Sequence, residues 1–400
     1  MQRWLVAVVV GVSMTSAVAC SFSKAGMPAP AGSENALPDA VGGAVGQSVK
    51  WSEFGFIAAG GRYNLHERIL SPSNVHGLHK RWNYLTGCNT FVCGVDSSPA
   101  VVNGVVYVGS YDGNVYALKA ATGAKLWSFL TGDRVFSSPA VADGVVYVGS
   151  LDDKVYALNA ATGRKLWSYT TGYTVSSSPA VANGVVYIGS DDGKIYALNA
   201  ATGAKLWSHR TRLNVQSSPA VASGVVYVGS VDGNVYALKA ATGAVLWTYT
   251  TGNSIYASPA VANGVVYVGS TDSSVYALNA ASGAKLWSFA TRDTVNSAPA
   301  VANGIVYVGS IDHNVYAINA ATGAKLWSFQ TGAYVFSSPA VANGVVYVGS
   351  EDDNVYALNA ATGAKLWSYH TGNLVAGSPT VANGVVYIGS GDDNVYAFGL

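Results

Sequence analysis

From residue 97 to residue 376 the pattern of apolar and polar positions returns every 40 residues. In the first copy, turn dipeptides cut the unit into four short apolar runs. These are SSPAVV, then Asn103-Gly104, VVYVGS, Asp112-Gly113, NVYALKA, Thr122-Gly123 and AKLWSFL. β-branched and aromatic residues fill the runs, and none is long enough or has the right period for a helix. Asn-Gly and Asp-Gly accept the positive φ of tight hairpin turns. The unit therefore predicts an antiparallel meander of four strands, A to D.

The second run carries apolar side chains on both faces, Val105 and Tyr107 on one and Val106 and Val108 on the other. A sheet of such strands needs a neighbour on each side. Repeated small sheets with two buried faces fit a β-propeller. Tryptophan sets the count: Trp127, Trp167, Trp207, Trp247, Trp287, Trp327 and Trp367 fall 40 residues apart, and Trp82 precedes them by 45. Seven copies are complete, and the eighth stops at Leu400 after its third strand. HKRWNYLTG, from His79, reads as a fourth strand with nothing before it. The expected fold is all-β, an eight-bladed propeller whose last blade is closed by an N-terminal strand, leaving no open edge. It is expected to be a monomeric ring.

The segments before the ring differ in character. Residues 1–19 hold one basic residue, Arg3, an apolar run and a small-residue end before Cys20, which reads as a secretory signal. Ala17-Val18-Ala19-Cys20 resembles a bacterial lipobox, and three cysteines leave one unpaired, so Cys20 is the expected lipidation site; a secreted protein with a free Cys20 is the alternative. Residues 20–50, rich in Ala, Gly, Pro and Ser, form a flexible tether, residues 51–78 a leader that packs on the ring as a lid or strap, and residues 79–400 the propeller. The expected location is the cell envelope, on its periplasmic or extracellular side, with a lipid anchor as the only membrane attachment. In such a compartment Cys88 and Cys93, in an insertion of five residues, are expected to form a disulfide contributing about 2 kcal/mol. A net charge of +1 with 11% charged residues leaves no electrostatic footprint for nucleic acid.

ALKAATGAKLW, from Ala117, resembles the tryptophan-docking motif of the PQQ-repeat (quinoprotein alcohol dehydrogenase-like) propellers, of the form A-x-D-x-x-T-G-x-x-x-W. It occurs seven times, with Ser282 in place of Thr once, and the Asp position holds Lys119, Asn159, Asn199, Lys239, Asn279, Asn319 and Asn359. The resemblance implies a propeller, and two kinds of function. One is a non-catalytic lipoprotein that scaffolds a partner. The other is a dehydrogenase with pyrroloquinoline quinone, a base, a Glu, Asn and Asp metal set, a stacking Trp and an adjacent Cys pair. The eight blade tryptophans all belong to docking positions, and Cys88 and Cys93 are not adjacent. The expected reading is the scaffold, with no catalytic residue, cofactor or metal, and neither quinone nor calcium.

Recurrence separates scaffold from site. The A–B and C–D turns hardly vary, whereas the D–A connections and the first B–C residue do, and both lie at one end of the blades. The last position before each Ser-Ser-Pro points towards the channel rim by alternation. Asp96, Phe136, Gln216, Tyr256, Asn296 and Phe336 occupy it in six blades, and Arg134, Arg212 and Arg292 lie in the same connections. These are the candidate contacts for an envelope protein or small ligand, against the alternative of unconstrained loop drift and solvated charge. The Asp that opens each B–C turn, from Asp112 to Asp392, is explained by turn chemistry without an ion.

Overall fold

The computed structural model describes residues 52–56, 58–88 and 93–400. The expected signal segment, Cys20 and the tether lie outside these residues. Eight sheets of A–B–C–D order form a β-propeller. In the first blade the strands are Ala100–Val102, Val105–Gly109, Asn114–Lys119 and Lys125–Leu130. Blade 8 takes strands A to C from Thr380–Ala382, Val385–Gly389 and Asn394–Gly399, and its D strand is His79–Leu85. That strand pairs antiparallel with the C strand, Trp82 opposite Ala397 and Tyr84 opposite Val395, which closes the ring as the two partial blades predict.

Neighbouring blades are joined by one recurring arrangement. Trp247 at the end of blade 4 donates its indole N–H to the Ala280 carbonyl of blade 5 at 2.9 Å, and the Tyr227 hydroxyl donates to the same oxygen at 3.1 Å. The indole lies flat on Gly283, where φ is +73° and an added methyl would sit 2.7 Å from the ring. Glycine is therefore required there twice, for the left-handed turn and for the room. The seam is closed in the same way: Trp82 donates to Ala120 of blade 1 at 2.8 Å, while Trp367 donates at 2.8 Å to Leu78, which stands where an eighth C–D turn would begin. Nearer the channel, serines link blade to blade, the Ser98 N–H reaching Ser138 Oγ and the Ser138 N–H reaching Ser178 Oγ, both at 2.9 Å.

The leader does not lie along the outside of the ring. It runs around the inside of the channel, against the exposed edges of the A strands. Carbonyls of Ser52, Ala58, Ala59, Gly61 and Arg62 accept the N–H groups of Val141, Val221, Val261, Val301 and Val341. The Glu53 carboxylate takes the Val181 N–H at 3.3 Å, and the Asn64 side chain donates to the Val381 carbonyl at 2.7 Å. Blades 2 to 8 are thus met in order, and Tyr63–Asn64 adds a short parallel strand to blade 7. An edge strand facing a channel leaves backbone donors and acceptors unpaired, and the leader supplies their partners. It then passes over the A–B turns of blades 7 and 8, where Asn343 Nδ2 donates to the Leu70 carbonyl and Glu67 accepts the Gly384 N–H, before becoming the last D strand.

Replacing the buried Trp247, 8% exposed, by Ala is expected to cost about 3 to 5 kcal/mol in a denaturant melt. A loss under about 1 kcal/mol would mean that the indole contributes little to the seam.

Candidate functional site

The two sets of variable positions meet on one face. In each blade the main-chain N–H of the first B–C residue donates to the D–A connection, as Leu151 does to Arg134, Thr271 to Ser254 and Glu351 to Tyr334, at 2.9–3.0 Å. Side chains follow. In blades 1 and 2, Tyr111 donates its hydroxyl to Asp96, its ring lies 4.5 Å from Phe136, and the Arg134 guanidinium sits 5.4 Å over Phe136. In blade 3, Asp191 accepts from Thr174 at 2.6 Å and Ser176 at 3.3 Å. In blade 7, Tyr334 packs against His313 and Phe336.

Of the rim positions, Tyr256 is exposed, whereas Asp96, Phe136, Gln216, Asn296 and Phe336 are half-buried. Three further apolar residues stand out on the same connections: Tyr173, Leu213 and Tyr334, 58%, 51% and 43% exposed. Sequence reasoning passed over them as the unconstrained residues before each packed Val. Their signal was present, since a large apolar side chain in a connection between blades has no packing duty there. The arginines are spread out, Arg134, Arg212 and Arg292 leading into blades 2, 4 and 6, so they do not converge on one ligand group. Arg212 and Arg292 keep the backbone role of the glycine they replace, donating N–H to Asp232 and Asp312 at 3.0 and 2.9 Å.

The B–C turn aspartates are used by the turn and the blade seam. Asp192 accepts from the Lys194 and Gly172 N–H groups and the Tyr196 hydroxyl. Burial pushes its pKa up, but the hydrogen bonds from Tyr196, Lys194 and Gly172 outweigh it and hold the carboxyl below its ordinary value. Asp96 is shifted the other way, by burial opposed by Tyr111, and Glu351 is raised by burial and then by the charge of Asp96.

Inside the channel, Arg62 is fully buried and donates to the carbonyls of Pro339 at 2.9 Å, Pro379 at 2.7 Å and Phe54, with its guanidinium 4.6 Å over the Phe54 ring. All eight tryptophans among the described residues donate to backbone carbonyls of the next blade or the leader. The Cys88–Cys93 disulfide spans five positions in the loop that enters blade 1, with Cα atoms 4.9 Å apart.

A family model described as the outer membrane protein assembly factor BamB, of the PQQ-repeat type, matches residues 231–336 and 312–399. Over residues 231–399 the chain carries the repeats of the PQQ-repeat β-propeller family. A second model of the propeller class, the β-propeller of the beta-alanine-activating enzyme, matches residues 90–269. No curated protein matches the chain. Among solved structures, BamB from Moraxella catarrhalis is 22% identical, covering 81% of this chain and 100% of its own, with a TM-score of 0.71. The computationally designed Ika8 protein is also 22% identical, covering 77% and 96%, at 0.70. Quinohemoprotein alcohol dehydrogenase from Comamonas testosteroni is 19% identical, covering 88% and 80%, at 0.76. At these identities the likeness is one of fold.

Proposed function

We propose that this PQQ-repeat propeller is a binding or scaffold protein of the bacterial cell envelope, exported, lipid-anchored at Cys20, and working through its D–A face. One observation carries the reading. Recurrent residues are consumed by docking and turns and the leader covers the A–B turns of two blades, whereas exposed Tyr173, Leu213, Tyr256 and Tyr334 gather on the opposite face. Aromatic side chains of this kind supply large contact area at low entropy cost, as protein interfaces use them. The match to a BamB model supports an envelope protein as the partner. No helix among the described residues is long and apolar enough to cross a membrane.

The experiment is capture of envelope proteins on the immobilised full chain. Changing the exposed Tyr173, Leu213 and Tyr256 together to Ser is expected to leave the melt nearly unchanged and to abolish capture of whatever the wild type retains. Changing Asn183, Asn263 and Asn303 to Ser on the A–B side is the control and is expected to leave capture intact, Ser223 already holding that position at φ +49° in one blade. Asn343 is unsuitable for the control because it holds Leu70 of the leader. Equal capture by both triple variants would refute the face assignment.

Cys20→Ser is expected to move the protein from the membrane fraction to the soluble one, since acyl chains contribute about 0.8 kcal/mol per buried methylene. A wild type already soluble would rule out the anchor.

The second reading, a quinone-dependent dehydrogenase, draws on the fold shared with the quinohemoprotein enzyme. Titration of the purified protein with pyrroloquinoline quinone and calcium is expected to give no dye-linked alcohol oxidation. Turnover there would replace the scaffold reading.

A further inference from the structure

A proline precedes each A strand, and the carbonyls of several of them meet the leader or a neighbouring blade around the channel. Around one side of the ring these oxygens have donors: Arg62 serves Pro339 and Pro379, and the Thr380 hydroxyl serves Pro99 at 2.6 Å. On the other side, between the leader and blades 3 to 5, a small cavity is lined by Glu53, Pro179, Pro219, Pro259, Ser218 and Ser258. It has room for a guest the size of one water molecule or a bare metal ion. Pro259 and Gly60 both line it, and Pro259 O lies 2.6 Å from where a methyl on Gly60 would project.

Glu53 is only 9% exposed and is the one ionisable side chain lining this cavity. Among the described residues its Oε2 accepts a single long bond from the Val181 N–H, and its Oε1 accepts none. Burial raises its pKa to about 8. A carboxylate taken out of water beside the negative ends of carbonyl dipoles is unfavourable unless positive charge joins it. The leader brings its own cation, Arg62, to blades 7 and 8 and none to blades 3 to 5.

We infer that the channel between the leader and blades 3 to 5 is a binding site for one hard cation, sodium or calcium. Glu53 is its charged ligand, and the proline carbonyls and serine hydroxyls supply the neutral oxygens. All-oxygen donors of this kind suit hard ions, and a single carboxylate among neutral ligands implies modest affinity. The site joins the leader to three blades, so the ion strengthens the hub. It is independent of the proposed partner-binding function and lies on different residues.

The test uses the full chain, freed of metal by chelator and gel filtration into tetramethylammonium chloride. The melting temperature is then followed at constant ionic strength as sodium or calcium replaces that cation, and bound ion is measured by equilibrium dialysis. A saturable rise with one of the two ions, near one bound equivalent, and loss of both in Glu53→Gln with an unchanged far-UV spectrum are expected. A melt indifferent to both ions overturns the site, as does a variant that keeps the full rise. Should Glu53→Gln fail to fold, the absence of bound ion in the wild type overturns it alone. A melting temperature insensitive to ions that falls between pH 4.5 and about 8, where the folded state would hold one more proton than the unfolded state, would show that a proton fills the role instead.

Discussion

The whole molecule depends on how a sheet with two edges and two apolar faces is closed off from water. Each blade buries its faces against its neighbours, Trp and Tyr of one blade meeting the Ala carbonyl and Gly of the next. The outer D edge lies in solvent, with lysines such as Lys125 along it. The inner A edge faces the channel, and the leader pairs with it from blade 2 to blade 8. Burial drives the ring together, and edge pairing decides what fills its centre.

That division explains why the two ends of the ring differ. The A–B turns are held by positive-φ Asn-Gly pairs and, in blades 7 and 8, are also covered by the leader. They have little freedom to diverge. The D–A connections need only return a Val to the core and a carbonyl to the B–C residue, so the positions between are unconstrained by folding. Tyr173, Leu213 and Tyr334 occupy such positions at a cost in exposed apolar surface, and the proposed partner would cover them.

Most of this fold was legible in the sequence because the repeat amplified it: seven spaced tryptophans, turn dipeptides at fixed offsets and a half blade at each end leave one closure. The candidate face was legible too, as the place where copies differ. The path of the leader was not. Its partners are main-chain N–H and C=O groups of Val141 to Val381, which carry no side-chain signature, and its side chains Glu53 and Arg62 look like ordinary surface charges until their burial is seen. The pairing of Asp96 with Tyr111, and of Tyr111 with Phe136 from the next blade, was equally hidden, because it depends on the angle between blades.

A ring of near-identical copies also has an addressing problem. Nothing in Ala-Val-Ala or Asn-Gly tells blade 3 from blade 6, so a strand has many almost equivalent partners during folding. Residues 52–56 and 58–64 meet the blades in chain order instead. They read out a different side chain or carbonyl at each successive blade, a carboxylate at the third, small residues at the fourth and fifth, a guanidinium between the seventh and eighth. Because each blade offers the same main-chain edge, the leader is in effect a gauge of number, and a ring with one blade too many or too few would leave an edge, or a stretch of the leader, without its pair.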